Sequence, residues 1–299
     1  MQDSPSALFT TWEIPPWVTC ALVLVAAIYG AGWIQIHRTR PAQFPTWRLT
    51  AFLSGILAIF IAVASPLDTF SESLLFMHMA QHFVLMSIAP PLLVLGSPVV
   101  PILRGLPRWL IRTALRPFFR SRTLHFIGGA LTRPALAWIT MNAAYVGWHI
   151  PAAYEFALSS EGWHNVEHAC FLFTGILFWW PIVSPWPSQQ RSSRWIILPY
   201  LLLADLVNTG LSAFLCFSGQ LIYPSYGEIQ RPFGLSALND QITAGAFMWV
   251  FGSMVFLLPI LAVIAQIFSS PAIPSRKYTQ LQFHIDTSAQ SSQAGREAV

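Results

Sequence analysis

The feature that most constrains this sequence is a series of seven long apolar runs with almost no charge. Each has close to the 20 residues that a helix needs to cross the hydrocarbon core of a bilayer. Charged residues make up only 9% of the chain, against about 25% in an ordinary soluble domain, which excludes a soluble globular fold. The sequence therefore predicts an all-α, polytopic membrane protein with seven transmembrane helices. The runs span residues 17–36, 49–67, 73–95, 134–151, 163–183, 195–217 and 241–268.

The third run continues past its predicted end and contains Pro90 and Pro91. We interpret 73–95 as one span that is kinked near the prolines, followed by an interfacial stretch. Five arginines then recur every four residues and predict a basic interfacial helix between spans three and four, lying on anionic lipid head groups. Docking of a partner subunit there is the alternative. The five are Arg104, Arg108, Arg112, Arg116 and Arg120.

The positions of the charges predict the orientation of the chain. All of the 16 Lys and Arg residues except Arg231 fall on one side of the predicted spans. The positive-inside rule therefore places the N-terminus outside and the C-terminus in the cytoplasm. Because the basic residues belong to a membrane surface, lipids are expected partners and nucleic acid is not. Residues 1–268 form the predicted seven-span domain, and residues 269–299 form a flexible cytoplasmic tail.

Five of the eight histidines fall at the outer ends of predicted spans when this topology is applied. The positive-inside rule does not use histidine. The location of all five in the outer part of the membrane is therefore independent evidence that they serve one function. Four of them form two pairs with i, i+4 spacing, which places both imidazoles of a pair on one helix face about 6 Å apart along the axis. That separation suits chelation of one metal ion. The five are His78, His82, His149, His164 and His168.

A metal site is the interpretation that these five histidines favour, because ionisable groups inside a span are costly and usually functional. Bridging of two helices by a lone histidine and proton handling are the alternatives. Imidazole suits zinc, copper, iron and nickel, whereas thioether and thiolate donors favour Cu(I). We expect accessory roles, as further ligands or as partners that orient the ligands, for Met86, Glu167, Cys170 and Asp240.

Two more polar residues lie near the middle of the sixth predicted span, Asp205 and Asn208. Their i, i+3 spacing places them on one helix face. A buried polar pair that locks helices together is the favoured interpretation, and a proton relay is the alternative.

Several blocks of the sequence, in order and spacing, resemble the multi-span CtaG family of cytochrome c oxidase assembly factors. The resemblance covers residues 73–268, about two thirds of the chain. Its blocks are His78-Met-Ala-Gln-His82, Ala89-Pro-Pro-Leu-Leu, Gly96-Ser-Pro, Trp148-His149-Ile-Pro151, His164-Asn-Val-Glu-His168, Phe178-Trp-Trp-Pro181, Asp240-Gln241, Ala244-Gly245 and Met248-Trp249.

The resemblance implies a non-enzymatic assembly factor for a haem–copper oxidase in a bacterial cytoplasmic membrane. Copper handling is the usual proposed role of that family, so copper is the expected metal. The five histidines occupy motif positions, and Asp240 is a further candidate. Oxidase subunits are the implied partners, with a periplasmic copper donor on the outer side.

Two other functions remain open on the sequence alone. His164-x-x-Glu167-His168 matches the H-x-x-E-H pattern of some zinc hydrolases, in which the carboxylate is a general base. Paired histidines at this spacing also occur in di-iron membrane enzymes. A metal-free membrane chaperone that grips an oxidase subunit is the third hypothesis.

Overall fold

The computed structural model describes residues 12, 14–187, 192–229 and 234–269, and within these ranges all regular structure is helical. This confirms the predicted all-α class. The helices are α1 (Pro16–His37), α2 (Thr46–Ala64), α3 (Pro66–Ser71), α4 (Leu75–Phe83), α5 (Ala89–Leu95), α6 (Val99–Gly105), α7 (Arg108–Leu110), α8 (Arg116–Arg120), α9 (Arg122–Leu131), α10 (Pro134–Trp148), α11 (Pro151–Leu158), α12 (Glu161–Val183), α13 (Arg194–Phe217) and α14 (Ala237–Ser269).

Six helical segments in the described residues are long and apolar enough to cross a membrane, one fewer than the sequence predicts. They are α1, α2, the continuous segment Leu75–Leu95 made by α4 and α5, α12, α13 and α14. The run 134–151 instead forms α10, whose 15 residues extend only about 22 Å at 1.5 Å per residue. The cause is Pro151, which begins α11 and holds Ile150 in an extended conformation, so that α10 ends at Trp148.

The helix type changes where the sequence predicts a kink in the third span. A π-helical turn, Val84–Ile88, joins α4 to α5 immediately before Pro90 and Pro91. Such turns widen a helix locally and often occur at functional sites. This π-helical turn therefore separates the part of the span that carries the histidines from the part that packs on α2.

The basic stretch is not a single helix. Arg104 lies on α6, and Leu106 is extended before Pro107, so α6 ends there. The other four arginines lie on one continuous helical segment, made of α7, a π-helical turn at Ile111–Leu115, and α8. All five side chains are exposed.

Helices that carry the site approach closely at one glycine. A Cβ atom added to Gly175 on α12 would lie 2.6 Å from the carbonyl oxygen of Met86 and 2.8 Å from Cγ of Pro90. Only glycine permits that backbone distance, as is usual where membrane helices touch. This contact brings α12 close to the α4–α5 segment, which carries His78 and His82.

The chain divides into two compact units between Ile260 and Leu261. All residues of the candidate site lie in the first unit. The predicted cytoplasmic tail, 269–299, lies outside the described residues except for its first residue.

Candidate metal centre

The two histidine pairs occupy the same positions on their helices. His78 and His82 are the fourth and eighth residues of α4, and His164 and His168 are the fourth and eighth residues of α12. Because each pair is one turn apart, each helix presents both imidazoles on one face. The facing helices thus meet with their pairs in register.

Ring distances show how closely the pairs meet. The ring centroids of His78 and His164 are 5.1 Å apart and those of His82 and His168 are 5.2 Å apart. Within the pairs the centroids are 4.2 Å apart on α4 and 4.1 Å apart on α12. The four imidazoles therefore form one contiguous cluster, as the spacing predicts.

Glu167 joins three of these histidines. One potential ligand atom from each of His78, His82, His164 and Glu167 lies within 4.8 Å of the other three; we call these four residues the His–Glu group. Glu167 is 1% exposed, and its Oε2 lies 3.8 Å from Nε2 of His82. An ion placed among these atoms would have nitrogen and oxygen donors from two helices.

The donor atoms of the His–Glu group are buried without hydrogen-bond partners among the described residues. This holds for both carboxylate oxygens of Glu167, both ring nitrogens of His82, and Nε2 of His78 and His164. Leaving buried polar atoms unpaired costs about 1–3 kcal/mol each, and more for a charged group. Such a concentration of unpaired donors needs an explanation, and a bound cation would supply it.

A tyrosine outside the predicted set fixes the orientation of His78. The hydroxyl of Tyr226 donates to the carbonyl of Ser71 at 2.7 Å and lies 3.2 Å from Nδ1 of His78. Because its one proton goes to Ser71, Nδ1 of His78 must donate to the hydroxyl oxygen. Nε2 of His78 then keeps its lone pair for the His–Glu group. Burial raises the pKa of Tyr226, which keeps its hydroxyl protonated.

The Asp240 side chain lies on α14 but anchors the start of α4, the helix that carries His78 and His82. Its carboxylate accepts hydrogen bonds from the backbone N–H groups of Leu75 at 2.8 Å and Phe76 at 3.1 Å. These N–H groups are unsatisfied at the start of any helix, so Asp240 acts as a remote cap for α4. Its placement positions His78 and His82 through the backbone.

Gln241, the next residue, holds the loop that carries Tyr226. Its Oε1 accepts from the N–H of Ile222 at 2.7 Å, and its Nε2 donates to the carbonyls of Leu215 and Gln220. The loop 218–229 is therefore tied to α14.

His149 and His168 are near the His–Glu group but outside it. Nε2 of each is buried and unpartnered in the described structure. His168 touches the group through its ring contacts with His82 and His164. His149 and His82 both have ring contacts with Phe171, at centroid distances of 6.3 Å and 4.7 Å.

The other predicted accessory residues have different surroundings. Met86 lies in the π-helical turn, is 7% exposed, and lines a cavity that also touches His82. Cys170 is a half-buried free thiol on α12 and does not belong to the His–Glu group.

Two cavities flank the His–Glu group. The first, here called the vestibule, contains the carboxylates of Glu72 and Glu161 in its wall and reaches His78 and His164. The second is lined mainly by apolar residues and reaches His82 and His149. The His–Glu group thus borders both cavities, and the vestibule has the more polar lining of the two.

The polar pair on α13 divides into two different environments. Asn208 accepts from the Tyr145 hydroxyl at 2.9 Å and donates to the Met248 carbonyl at 3.3 Å, so it links α10, α13 and α14. Asp205 is half-buried, and its Oδ1 has no partner among the described residues. The helix-locking interpretation therefore fits Asn208.

Comparison with known proteins identifies similar chains. The model of the cytochrome c oxidase caa3 assembly factor family (Caa3_CtaG) matches residues 27–270. Uncharacterized proteins of Mycobacterium leprae and Mycobacterium bovis are 24% and 26% identical over 86% and 87% of this chain. The chain spans 40% of the length of these curated relatives. No solved structure matches it.

Proposed function

Since the chain belongs to the cytochrome c oxidase caa3 assembly factor family, we propose that it binds copper at the His–Glu group and supplies it to an oxidase under assembly. Copper is here the cargo, and oxidase subunits are the receiving partners. Imidazole nitrogens suit either common oxidation state of copper. The proposed location is the bacterial cytoplasmic membrane, which agrees with the mycobacterial relatives.

The observation that supports this proposal most is the buried Glu167 carboxylate. A carboxylate in a membrane-spanning helix is costly unless it is paired. Here its neighbours in space are three imidazoles, each with at least one buried ring nitrogen that has no hydrogen-bond partner among the described residues. Neutral imidazoles with free lone pairs do not neutralise a carboxylate, whereas a cation bound by both would.

The route by which a cation would reach the site, and the number of ligands available for exchange, also agree with a carrier. The carboxylates of Glu72 and Glu161 in the vestibule would attract cations before they reach His78 and His164. His168 is an additional donor beside the His–Glu group, and surplus donors let ligands exchange one at a time. A copper donor on the outer side would deliver into the vestibule.

The arrangement favours a carrier over a zinc hydrolase of the H-x-x-E-H type. In such a hydrolase both histidines of the motif bind the metal, and the glutamate acts as a base. Here the His–Glu group includes His164 and Glu167 but not His168. The Glu167 carboxylate is therefore placed as a metal ligand would be.

We propose further that α10 completes a seventh crossing, with the N-terminus outside and the vestibule facing outward. Its 15 residues are short, but α10 exposes Leu136, Ile139 and Val146, the apolar side chains that lipid requires. The charge asymmetry of the loops supports the same orientation.

Copper analysis of the purified, full-length protein in lipid nanodiscs tests the proposal. We expect the unmodified chain to bind copper and a His78→Ala, His82→Ala variant to lose that binding. Cells that carry the variant should assemble less active oxidase. His125→Ala is the matched control, because His125 is exposed on α9 and should leave copper content unchanged.

Glu167→Gln separates a carrier from an enzyme. The amide keeps the size of the side chain and removes its charge, so we expect weaker copper binding. A hydrolase whose base is Glu167 would instead keep its metal and lose turnover. Copper content that is the same in the unmodified chain and in the double histidine variant would overturn the proposed function.

A further inference from the structure

The apolar cavity beside the His–Glu group contains an unusual concentration of thioethers. Four of the seven methionines in the chain line it. They come from three separate segments: two from α4 and the π-helical turn, one from α10 and one from α14. All four are at most 7% exposed. They are Met79, Met86, Met141 and Met248.

One imidazole in this cavity is already held as a ligand would be. Nδ1 of His149 lies 2.7 Å from the carbonyl oxygen of Tyr145. A carbonyl only accepts, so Nδ1 carries the proton and Nε2 keeps its lone pair. The backbone carbonyl of His149 is held by the Tyr223 hydroxyl at 3.0 Å. Nε2 is buried and unpartnered within the described structure. Metal-binding imidazoles are usually fixed in this way, by a hydrogen bond from the ring nitrogen that does not bind the metal.

We infer that this cavity is a second metal site, for a soft monovalent cation of the Cu(I) class, formed by the four methionines and Nε2 of His149. The inference rests on the proposed function, since it concerns the same cargo at a later position. Neutral thioether donors select Cu(I) and bind hard divalent ions poorly. The mainly apolar lining offers few groups to hold the water that a hard cation would retain.

His82 connects the two sites. It belongs to the His–Glu group and also lines the methionine cavity. A Cu(I) ion therefore passes between them by ligand exchange alone. Its bonds to Nε2 of His78, to His164 and to Glu167 break as bonds to thioether sulfurs form, and the ion stays Cu(I) throughout. No electron donor is required for this step.

Phe171 lies beside this path. Its ring packs on His82 and His149 and lines the same cavity. His149 does not belong to the His–Glu group, so the two sites are formed by different ligand sets that have His82 as a common neighbour.

X-ray absorption of the Cu(I)-loaded full-length protein, prepared anaerobically in nanodiscs, tests the inference. We expect both nitrogen and sulfur neighbours around copper in the unmodified chain. The Met141→Leu, Met248→Leu variant removes two of the four thioethers, so it should show fewer sulfur neighbours than the unmodified chain and keep the nitrogen neighbours; an unchanged number of sulfur neighbours would overturn the inference. Leucine conserves volume at both positions, so folding should persist. Met254→Leu is the matched control, because Met254 lies on α14 and is 50% exposed.

The outcomes distinguish the two proposals. Copper with nitrogen and oxygen neighbours only, identical in the unmodified chain and the methionine variant, would overturn the second site and leave the proposed function standing. Loss of sulfur neighbours in Met254→Leu as well would also overturn it. An unmodified chain that binds no copper at all would refute the proposed function.

Discussion

Single hydrogen bonds decide which atoms of the candidate site can bind a metal. At His78 and at His149 the protonated nitrogen is Nδ1, because its neighbour is an oxygen with no proton left to give. Both residues therefore present Nε2 as a lone-pair donor. Residues that contact no ion would still control metal affinity through these bonds.

Tyr226→Phe tests this control. The substitution removes one oxygen, so the Nδ1 proton of His78 loses its acceptor and the ring loses its fixed orientation. We expect copper affinity to fall about 10–100-fold, the usual effect of losing a partner behind a metal ligand. Isothermal titration with copper measures the change.

Tyr200→Phe is the control for that experiment. Its hydroxyl also makes one buried hydrogen bond, 2.8 Å to the carbonyl of Phe178 on α12, and this bond involves none of the histidines. Thermal unfolding should change similarly in the two variants, whereas copper affinity should change only in Tyr226→Phe. Equal affinities in both would contradict the role given to Tyr226.

The histidines of the site can be identified from the sequence, and the residues that support them cannot. Regular i, i+4 spacing on apolar helices is enough to identify His78, His82, His164 and His168. Tyr226 lies in an irregular loop, where no periodicity indicates which way a side chain points. The methionine cavity depends on contacts between three distant segments, which spacing along one helix does not reveal.

Among the helices, the closeness of α12 to the α4–α5 segment keeps the two histidine pairs in contact. Gly175 permits this closeness, because a Cβ atom there would overlap the Met86 carbonyl. Sequence patterning predicts a kink in this segment, since two consecutive prolines interrupt helical hydrogen bonding. It does not predict the length of α10, because the apolar run continues through Pro151 while the helix does not.

Gly175→Ala tests the helix contact. The added methyl group would overlap the Met86 carbonyl, and overpacking of this kind costs about 1–3 kcal/mol. We expect a lower unfolding temperature and weaker copper binding, because α12 must move away from α4. Circular dichroism on heating and copper titration measure the two effects.

Gly162→Ala is the matched control on the same helix. A Cβ atom at Gly162 would meet nothing within 4 Å, and alanine favours helix by up to about 1 kcal/mol over glycine. Its stability should therefore stay the same or rise. Equal destabilisation by both substitutions would contradict the role given to the contact at Met86, since helix propensity alone favours alanine at either position.

For the whole molecule, the number of membrane crossings determines on which side the vestibule opens. Ser159 and Thr123 are both exposed and flank α10 and α11 in the chain. If α10 crosses the membrane, the two positions lie on opposite sides. If it does not, they lie on the same side.

Cysteine labelling in intact spheroplasts decides between these cases. The three native cysteines are first replaced by serine, and single cysteines are placed at Ser159 or Thr123. We expect an impermeant maleimide to label Ser159→Cys directly and Thr123→Cys only after the membrane is permeabilised. Labelling of both positions in intact spheroplasts would contradict the seventh crossing.

The shared register of the two histidine pairs makes the site dependent on chain length as well as on residue identity. Each pair begins at the fourth residue of its helix, close to a fixed helix start. One residue inserted between that start and the pair would rotate both imidazoles by about 100°, given 3.6 residues per turn. Every ligand would still be present, yet one pair would face away from the other. The number of residues between each helix start and its first histidine, His78 or His164, therefore matters for metal binding. An insertion there could abolish the site without removing any ligand.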